Sequence, residues 1–414
     1  MCNSSLNVLV IAQYFPPDLG GAATRAYNAA KGLVLNRCKV TVVTAFPHYP
    51  HGKISNEYKW KLLKVEWHGK IRVIRGFIIP LESKGLSSRL LLFASFAISS
   101  LFALLLVGKI DVIWVANPDI LSLMPAIVYN KVKRRPITSN VDDLVLEDLY
   151  DLKLIKKDSM ISKVAELIAR ICYMKAEVVT PISPGYVEAI MKFGVEEGRI
   201  HVVRGGVDLK TFSPSTSTQN SSTFRILYSG AFSIAYDFEQ LLEAAKILDS
   251  KDNKVEFILQ GKGELANRIS SGIKRLQLKN VRIIDQVLSR QEVAELLNQA
   301  DALILPLADF GKPYRGMSSK LYEFQAVSKP IICCAKGQPA DYVKETRSGI
   351  VVEPGDYKSI AQAILYLREN PAIAKNMGES GRRYVEENMS LQKIGLRMKQ
   401  VLGGVAQKSE VTSN

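Results

Sequence analysis

Two doubly wound α/β domains, each built on a parallel sheet, are what this 414-residue sequence predicts. Short apolar runs alternate with helical patterns along almost the whole chain, the pattern of parallel strands joined by crossover helices. One stretch interrupts the alternation: Ser213–Thr223, SPSTSTQNSST, is the only low-complexity segment and reads as a linker. The length exceeds what one core usually holds, and an apolar content of 47% is ample for two.

The elements follow in order. A strand at Leu6–Ala12 leads into a helix over Ala22–Leu35, and strands are predicted at Val40–Thr44, Ile71–Arg75, Val112–Val115, Pro136–Asn140, Val178–Pro181 and Ile200–Val203. After the linker the units restart with Arg225–Ser229, Val255–Gln260, Val281–Ile284, Ala302–Leu305, Pro330–Cys334 and Gly349–Val352, separated by helices such as Phe238–Leu248 and Arg290–Ala300. The predicted domains are residues 1–204 and 225–385, joined by 205–224. Two such Rossmann-like domains are expected to face each other across a cleft, with ligands at the carboxyl ends of the strands.

The formal charge is +15, and residues 1–215 hold 28 Lys and Arg against 18 Asp and Glu. A basic first domain suits anionic lipid headgroups or phosphorylated substrates, or is a solvated surface with no partner. Nucleic acid is not expected, because the basic residues are dispersed and no nucleic-acid-binding pattern occurs. The five cysteines, at 2, 38, 172, 333 and 334, contain no CxxC and read as reduced core residues of a cytoplasmic chain; Leu6–Ala12 is too short for a signal peptide. Leu90–Val107 is eighteen residues without a charge, flanked by Arg89 and Lys109. A span there would break the βα alternation, so a helix that is buried or lies on the membrane is expected, and the protein is placed on the inner face of the cell membrane.

The segment Ala300–Asp356 reads as strand, polar loop, helix and strand. Gly311 and Gly316 allow close backbone approach to a ligand, the helix beginning near Ser318 offers free amides to an anion, and Glu323 lies within reach of a hydroxyl beside that anion. An anion plus a diol is a nucleotide, although an ordinary crossover has a similar pattern. The four histidines, at 48, 51, 68 and 201, form no metal-ligand spacing, and no metal or other cofactor is expected.

At this level of detail the chain resembles the retaining glycosyltransferases of family 4, which have the two-domain GT-B fold. YFPPDLGGAATR resembles the family's Pro-rich turn and Gly-Gly loop. TAFPHYPHGKI is similar to a segment of a subgroup that builds bacterial surface polysaccharides of the fucosamine and colanic-acid type. DDLVLEDLY, VVRGGVDLKTFSP and LYSGAF resemble further family stretches, in family order. The resemblance implies transfer of a sugar from a UDP- or GDP-linked donor with retained configuration, to a polyisoprenyl-diphosphate-linked saccharide. It also implies that the C-terminal helical pattern, about 386–405, crosses back onto the first domain, with the last dozen residues expected to be disordered.

By the same resemblance, Glu323 accepts from ribose hydroxyls and Lys320 neutralises the diphosphate, with Arg315 and Arg204 supplying further positive charge. Ser318 and Ser319 either cap the helix or meet phosphate, and Leu321, Gly230 and Gly261 are counted with the donor side. Gly20 and Gly21 bring backbone amides to the diphosphate or donor sugar. Asp142 and Asp143 position donor or acceptor sugar or cap a helix, and Arg25, His48 and Tyr49 belong to the acceptor side. The sequence departs from the family at Arg315, where the first Glu of E-x7-E is expected, and in SGAFSIAYDFE, which lacks the usual Arg and Lys. A catalytically silent subunit that binds a nucleotide sugar, and a sugar-nucleotide epimerase using carboxylates among Asp142, Asp143, Glu147 and Asp148, stay open as alternatives.

Overall fold

The computed structural model describes residues 5–49, 52–80, 86–117, 120–151, 155–215, 222–249 and 254–413. The chain divides into two compact units, Met1–Gly206 with Leu391–Asn414, and Val207–Ser390. The boundary is sharper than the expected linker: Val207–Ser215 belongs to the second unit, where Phe212 is fully buried, while 216–221 of the predicted linker lie outside the described residues.

The first unit is a seven-stranded sheet of β1 (Asn7–Ile11), β2 (Lys39–Ala45), β3 (Leu63–His68), β4 (Ile71–Gly76), β5 (Val112–Asn117), β6 (Ile137–Val141) and β7 (Val178–Pro181). The order is β3-β4-β2-β1-β5-β6-β7, parallel except for the β3–β4 hairpin. The central β1 is apolar through Val8, Leu9, Val10 and Ile11, all fully buried, as a strand covered on both faces must be.

Two strands differ from expectation. β3 is additional: its Val65 and Trp67 point outward, so the buried apolar run that marks a parallel strand is missing. Its function is electrostatic. The buried Arg75 of β4 donates to Glu66 of β3, to the Ala45 carbonyl at 3.2 Å and to the Pro16 carbonyl, so the edge strand supplies the counter-charge for a cation inside the sheet. In contrast, Ile200–Val203 is not a strand. Ile200 makes one isolated bridge to Val179 and His201 and Val202 face solvent, while the Val203 and Arg204 carbonyls accept from Arg25 at 2.8 and 3.0 Å.

The second unit holds β8 (Phe224–Ser229), β9 (Val255–Gln260), β10 (Val281–Ile284), β11 (Ala302–Pro306), β12 (Ile331–Cys334) and β13 (Gly349–Val352), all parallel. The order β10-β9-β8-β11-β12-β13 is the 3-2-1-4-5-6 arrangement of a dinucleotide-binding sheet. Cys38, Cys172, Cys333 and Cys334 are buried free thiols.

The predicted C-terminal helix is two elements. Pro371–Asn388 belongs to the second unit, and Leu391–Ser413 returns to the first. The second of these runs through the residues expected to be disordered, because its Ile394, Met398, Leu402 and Val405 are buried there. It meets the helix Gly21–Leu35 at a glycine pair: a Cβ on Gly395 would lie 2.1 Å from the Gly32 carbonyl oxygen. Neither backbone has room to yield. Gly395→Ala is therefore expected to lower the unfolding free energy by about 1–3 kcal/mol, read from the denaturant midpoint, whereas Gly403→Ala, where a Cβ meets nothing within 4 Å, is expected to raise it by about 0.5–1 kcal/mol, the helix preference of alanine over glycine.

Candidate functional site

In the second unit the loop after β11 leads into a helix of seven residues, Lys320–Ala326. Its seating is fixed from beneath. Leu321 and Phe324 are buried, and Gln325 donates to Thr346 Oγ1 at 2.9 Å and Ser348 Oγ at 3.0 Å while accepting from the Tyr342 hydroxyl at 2.7 Å. A closed buried network of this kind holds one orientation. Ser319 occupies the N-cap position but makes no side-chain cap bond, and Ser318 contributes its carbonyl to the Leu321 amide at 3.2 Å. Ser319 has helical backbone angles where a capping residue is normally extended, so capping by its hydroxyl is corrected.

Lys320 and Glu323 stand one turn apart on this helix. The Lys320 ammonium lies 5.2 Å from the Tyr236 ring centroid, in space that exists because residue 230 has no side chain: a Cβ there would be 2.6 Å from Nζ. Gly230 thus makes room for a cation, and Gly261 makes room for Gly230, since its own Cβ would fall 1.7 Å from the Gly230 carbonyl oxygen. Glu323, 13% exposed, accepts from Arg290 Nη2 at 2.6 Å through Oε1, which leaves Oε2 without a hydrogen bond from the described residues. Arg290 in turn stacks 4.6 Å from the Phe212 ring centroid. Arg315 is half-buried on the loop before the helix.

Sequence reasoning missed Arg290, Phe212 and Tyr236. Ser289 and Glu292 do form a capping box that marks the start of Arg290–Asn298, but nothing local in SRQE says that the Arg side chain reaches a carboxylate thirty-three residues away.

In the first unit, the candidate residues lie in loops after β1, β2 and β6. Asp18, also missed, is buried and accepts from the amides of His48 at 2.7 Å and Tyr49 at 2.8 Å. Burial pushes its carboxyl above the ordinary aspartate range, against the pull of His48, those two amides and Arg75. His48 is buried as well. Its Nδ1 lies 3.0 Å from the Phe46 carbonyl and its ring stacks on Tyr14 with centroids 5.2 Å apart, while Nε2 is buried with no hydrogen-bond partner among the described residues. If Nδ1 donates to that carbonyl, Nε2 is an acceptor waiting for a donor. Tyr49 is half exposed and lies over Gly20, whose φ of +104° suits glycine alone. Gly21 opens the helix with free space around its Cα, and His51 lies outside the described residues.

Arg25 and Asp142 pair, with Arg25 Nε 3.4 Å from Asp142 Oδ1 and Asn140 donating to the same oxygen at 2.6 Å. Burial raises the Asp142 carboxyl and Arg25 draws it back. Asn140 and the Val203 and Arg204 carbonyls also accept from the two terminal nitrogens of Arg25. Asp143 is exposed and Arg204 half-buried.

Residues 19–211 match the family profile described as Glycosyltransferase Family 4, and residues 210–384 that described as Glycosyl transferases group 1. The two matches tile nearly the whole chain without a gap. The chain carries a family 4 glycosyltransferase domain followed by a group 1 domain. Among relatives of this glycosyltransferase, the putative colanic acid biosynthesis glycosyltransferase WcaL of Escherichia coli (strain K12) is 23% identical over 193 residues, 46% of this chain and 48% of the relative. The chain thus spans about half the length of that relative. Among solved structures, sucrose-phosphate synthase from Thermosynechococcus elongatus superposes with a TM-score of 0.73 at 19% identity, covering 96% of this chain and 98% of that one. Anabaena HepE, solved with UDP and glucose, gives 0.68 at 16% identity over 96% and 99%. These likenesses show the GT-B fold of two Rossmann-like domains.

The raised carboxyl of Asp18 has a thermodynamic consequence. A group whose folded pKa lies above its unfolded value binds a proton on folding, so its contribution is lost as pH rises from about 3.8 through the raised value. The unfolding free energy of the wild type relative to Asp18→Asn is expected to fall across that window, by up to about 1.4 kcal/mol per pH unit. Urea midpoints of both proteins over the same pH series measure it, and parallel curves would contradict the assignment.

Proposed function

We propose that this glycosyltransferase moves a sugar from a nucleoside-diphosphate donor, with retention of configuration and without a metal, to a polyisoprenyl-diphosphate-linked saccharide at the membrane in surface-polysaccharide synthesis. One observation carries the proposal: Lys320 stands in the space left by Gly230, one turn from a Glu323 oxygen that receives no hydrogen bond from the described residues. A cation beside an open carboxylate oxygen matches a diphosphate beside a ribose diol. UDP in the structurally similar HepE, and the surface-polysaccharide relative, support the substrate class.

In this proposal Lys320 and Arg315 meet the charge that develops on the departing diphosphate, the main catalytic contribution where no protein nucleophile is used. Arg290 is a positioning residue, holding Oε1 so that Oε2 faces the ribose. The helix Lys320–Ala326 is too short for its dipole to carry the diphosphate unaided. In the first unit, Asp18 fixes the His48 backbone and leaves Nε2 to accept from a sugar hydroxyl, with Tyr49 beside it and Arg204 adding positive charge. The protein would then work from the cytoplasmic face of an anionic membrane.

Thermal-shift titration with UDP, GDP, ADP and CMP tests the donor site. One nucleoside diphosphate is expected to stabilise the wild type, and Glu323→Ala to weaken it roughly ten- to hundredfold. Lys320→Ala is expected to cut donor turnover about 10²- to 10³-fold with little change in melting temperature. Stabilisation of the folded protein by none of the four would instead favour the silent subunit, and Glu323→Ala binding as tightly as wild type would remove the ribose assignment.

A further inference from the structure

Three helices of the first unit, Leu86–Leu104, Met124–Lys133 and Met160–Lys175, lie on one face of its sheet. They connect β4 to β5, β5 to β6 and β6 to β7, all in the same direction across the sheet, and right-handed crossovers place them together. On this face large apolar side chains stay exposed beside helices whose core contacts are already filled, as by Phe96, Ala103 and Leu104. Leu86–Leu104 buries Ser95, Ser99 and Ser100, and Ser99 fits because Gly76 below it has no side chain: a Cβ there would be 2.6 Å from Oγ. The same helix turns Ile98 and Phe102 outward, 52 and 54% exposed, and Leu105 in the turn just after it is 81% exposed.

Met160–Lys175 repeats the arrangement. Met160, Val164, Leu167, Ile171 and Met174 recur every three or four residues and all are exposed, while Ala169, Cys172 and Tyr173 face the core. At about 100° per residue, Lys163 and Arg170 run along one margin of this stripe and Lys175 along the other. Met124–Lys133, the middle crossover, exposes Met124 and Val128 and ends in Lys131, Lys133 and Arg134. Residues 124–135 and 155–175 hold nine Lys and Arg against two carboxylates, Asp158 and Glu166. Glu166 already accepts from the Tyr150 hydroxyl at 2.6 Å.

We propose that this three-helix face, with Met160–Lys175 as its main element, docks on an anionic lipid bilayer. The apolar stripes would enter the acyl boundary and the flanking Lys and Arg would meet the headgroups. Among the described residues no helix is long and apolar enough to cross a membrane, so the contact is a surface one. Charge decides against a second copy as the occupant, because a two-fold contact would set the same cations against each other. The docking rests on the proposed lipid-linked acceptor for its purpose, not for its evidence.

The test is co-sedimentation of the full chain with phosphatidylcholine vesicles, with and without roughly a third phosphatidylglycerol. The wild type is expected to pellet with the anionic vesicles only. Leu167→Glu with Ile171→Glu is expected to lower the bound fraction about tenfold or more, and Lys163→Gln with Arg170→Gln and Lys175→Gln to do so by several-fold, with circular-dichroism melts like wild type. Should the Glu pair fail to fold, Leu167→Trp replaces it: a blue shift of its emission on anionic vesicles supports docking and an unshifted spectrum overturns it. Absence of pelleting, or pelleting unchanged in both variants, overturns the proposal. So does a dimer seen by light scattering that the Glu pair breaks while vesicles stay unbound. Nucleotide titration of the same samples reads the donor site separately: nucleotide binding without vesicle binding sinks the docking alone, and the reverse sinks the transfer proposal alone.

Discussion

Parallel pairing is the constraint on which everything else in this molecule depends. Once β1 aligns parallel with β2 and β5, and β8 with β9 and β11, the carboxyl ends of the strands in each sheet share one edge, and the chain must return by crossovers. Residues remote in sequence then meet in neighbouring loops. Asp18 follows β1, His48 and Tyr49 follow β2, and Asp142 follows β6; in the second sheet Gly230, Gly261 and Lys320 follow β8, β9 and β11. The candidate residues of each unit are neighbours because the strands are parallel.

The cations divide by what surrounds them. Arg75 is buried and bound by Glu66 and two carbonyls, and Arg25 is paired with Asp142 and donates to Asn140 and two carbonyls. Planar guanidinium groups suit such multiple acceptors, and both hold backbone segments in place. Lys320 has an aromatic ring beside it and no ion pair among the described residues. A compact, mobile ammonium next to glycine backbone is suited to an incoming anion, and here the distinction between structural and functional charge follows from geometry.

Glycine supports both units by absence of a side chain. Gly32 and Gly395 let two helices touch backbone to backbone, and Gly261 lets the Gly230 loop close down so that Gly230 can accommodate Lys320. In the first unit, Gly76 lets Ser99 of Leu86–Leu104 pack against the sheet, while Ile98 and Phe102 of the same helix face outward.

The sequence by itself determined the two sheets, nearly all their strands, the placement of Glu323 and Lys320 on one short helix, and the family, because hydrophobic period and motif order are local properties of the chain. It did not reveal β3, whose worth lies in the charge of Glu66, or that the Val203 and Arg204 carbonyls bind Arg25 where a strand is expected over Ile200–Val203. Only tertiary structure decided which partner each long polar side chain found: Arg290 with Glu323, Arg25 with Asp142, Asp18 with the amides of His48 and Tyr49. It also decided which side of the apolar helix at 86–104 faces the sheet: Ser95, Phe96, Ser99 and Ala103 pack beneath, and Ile98 and Phe102 are left outside. Those outcomes depend on distances between segments far apart in sequence, and local pattern carries no such distances.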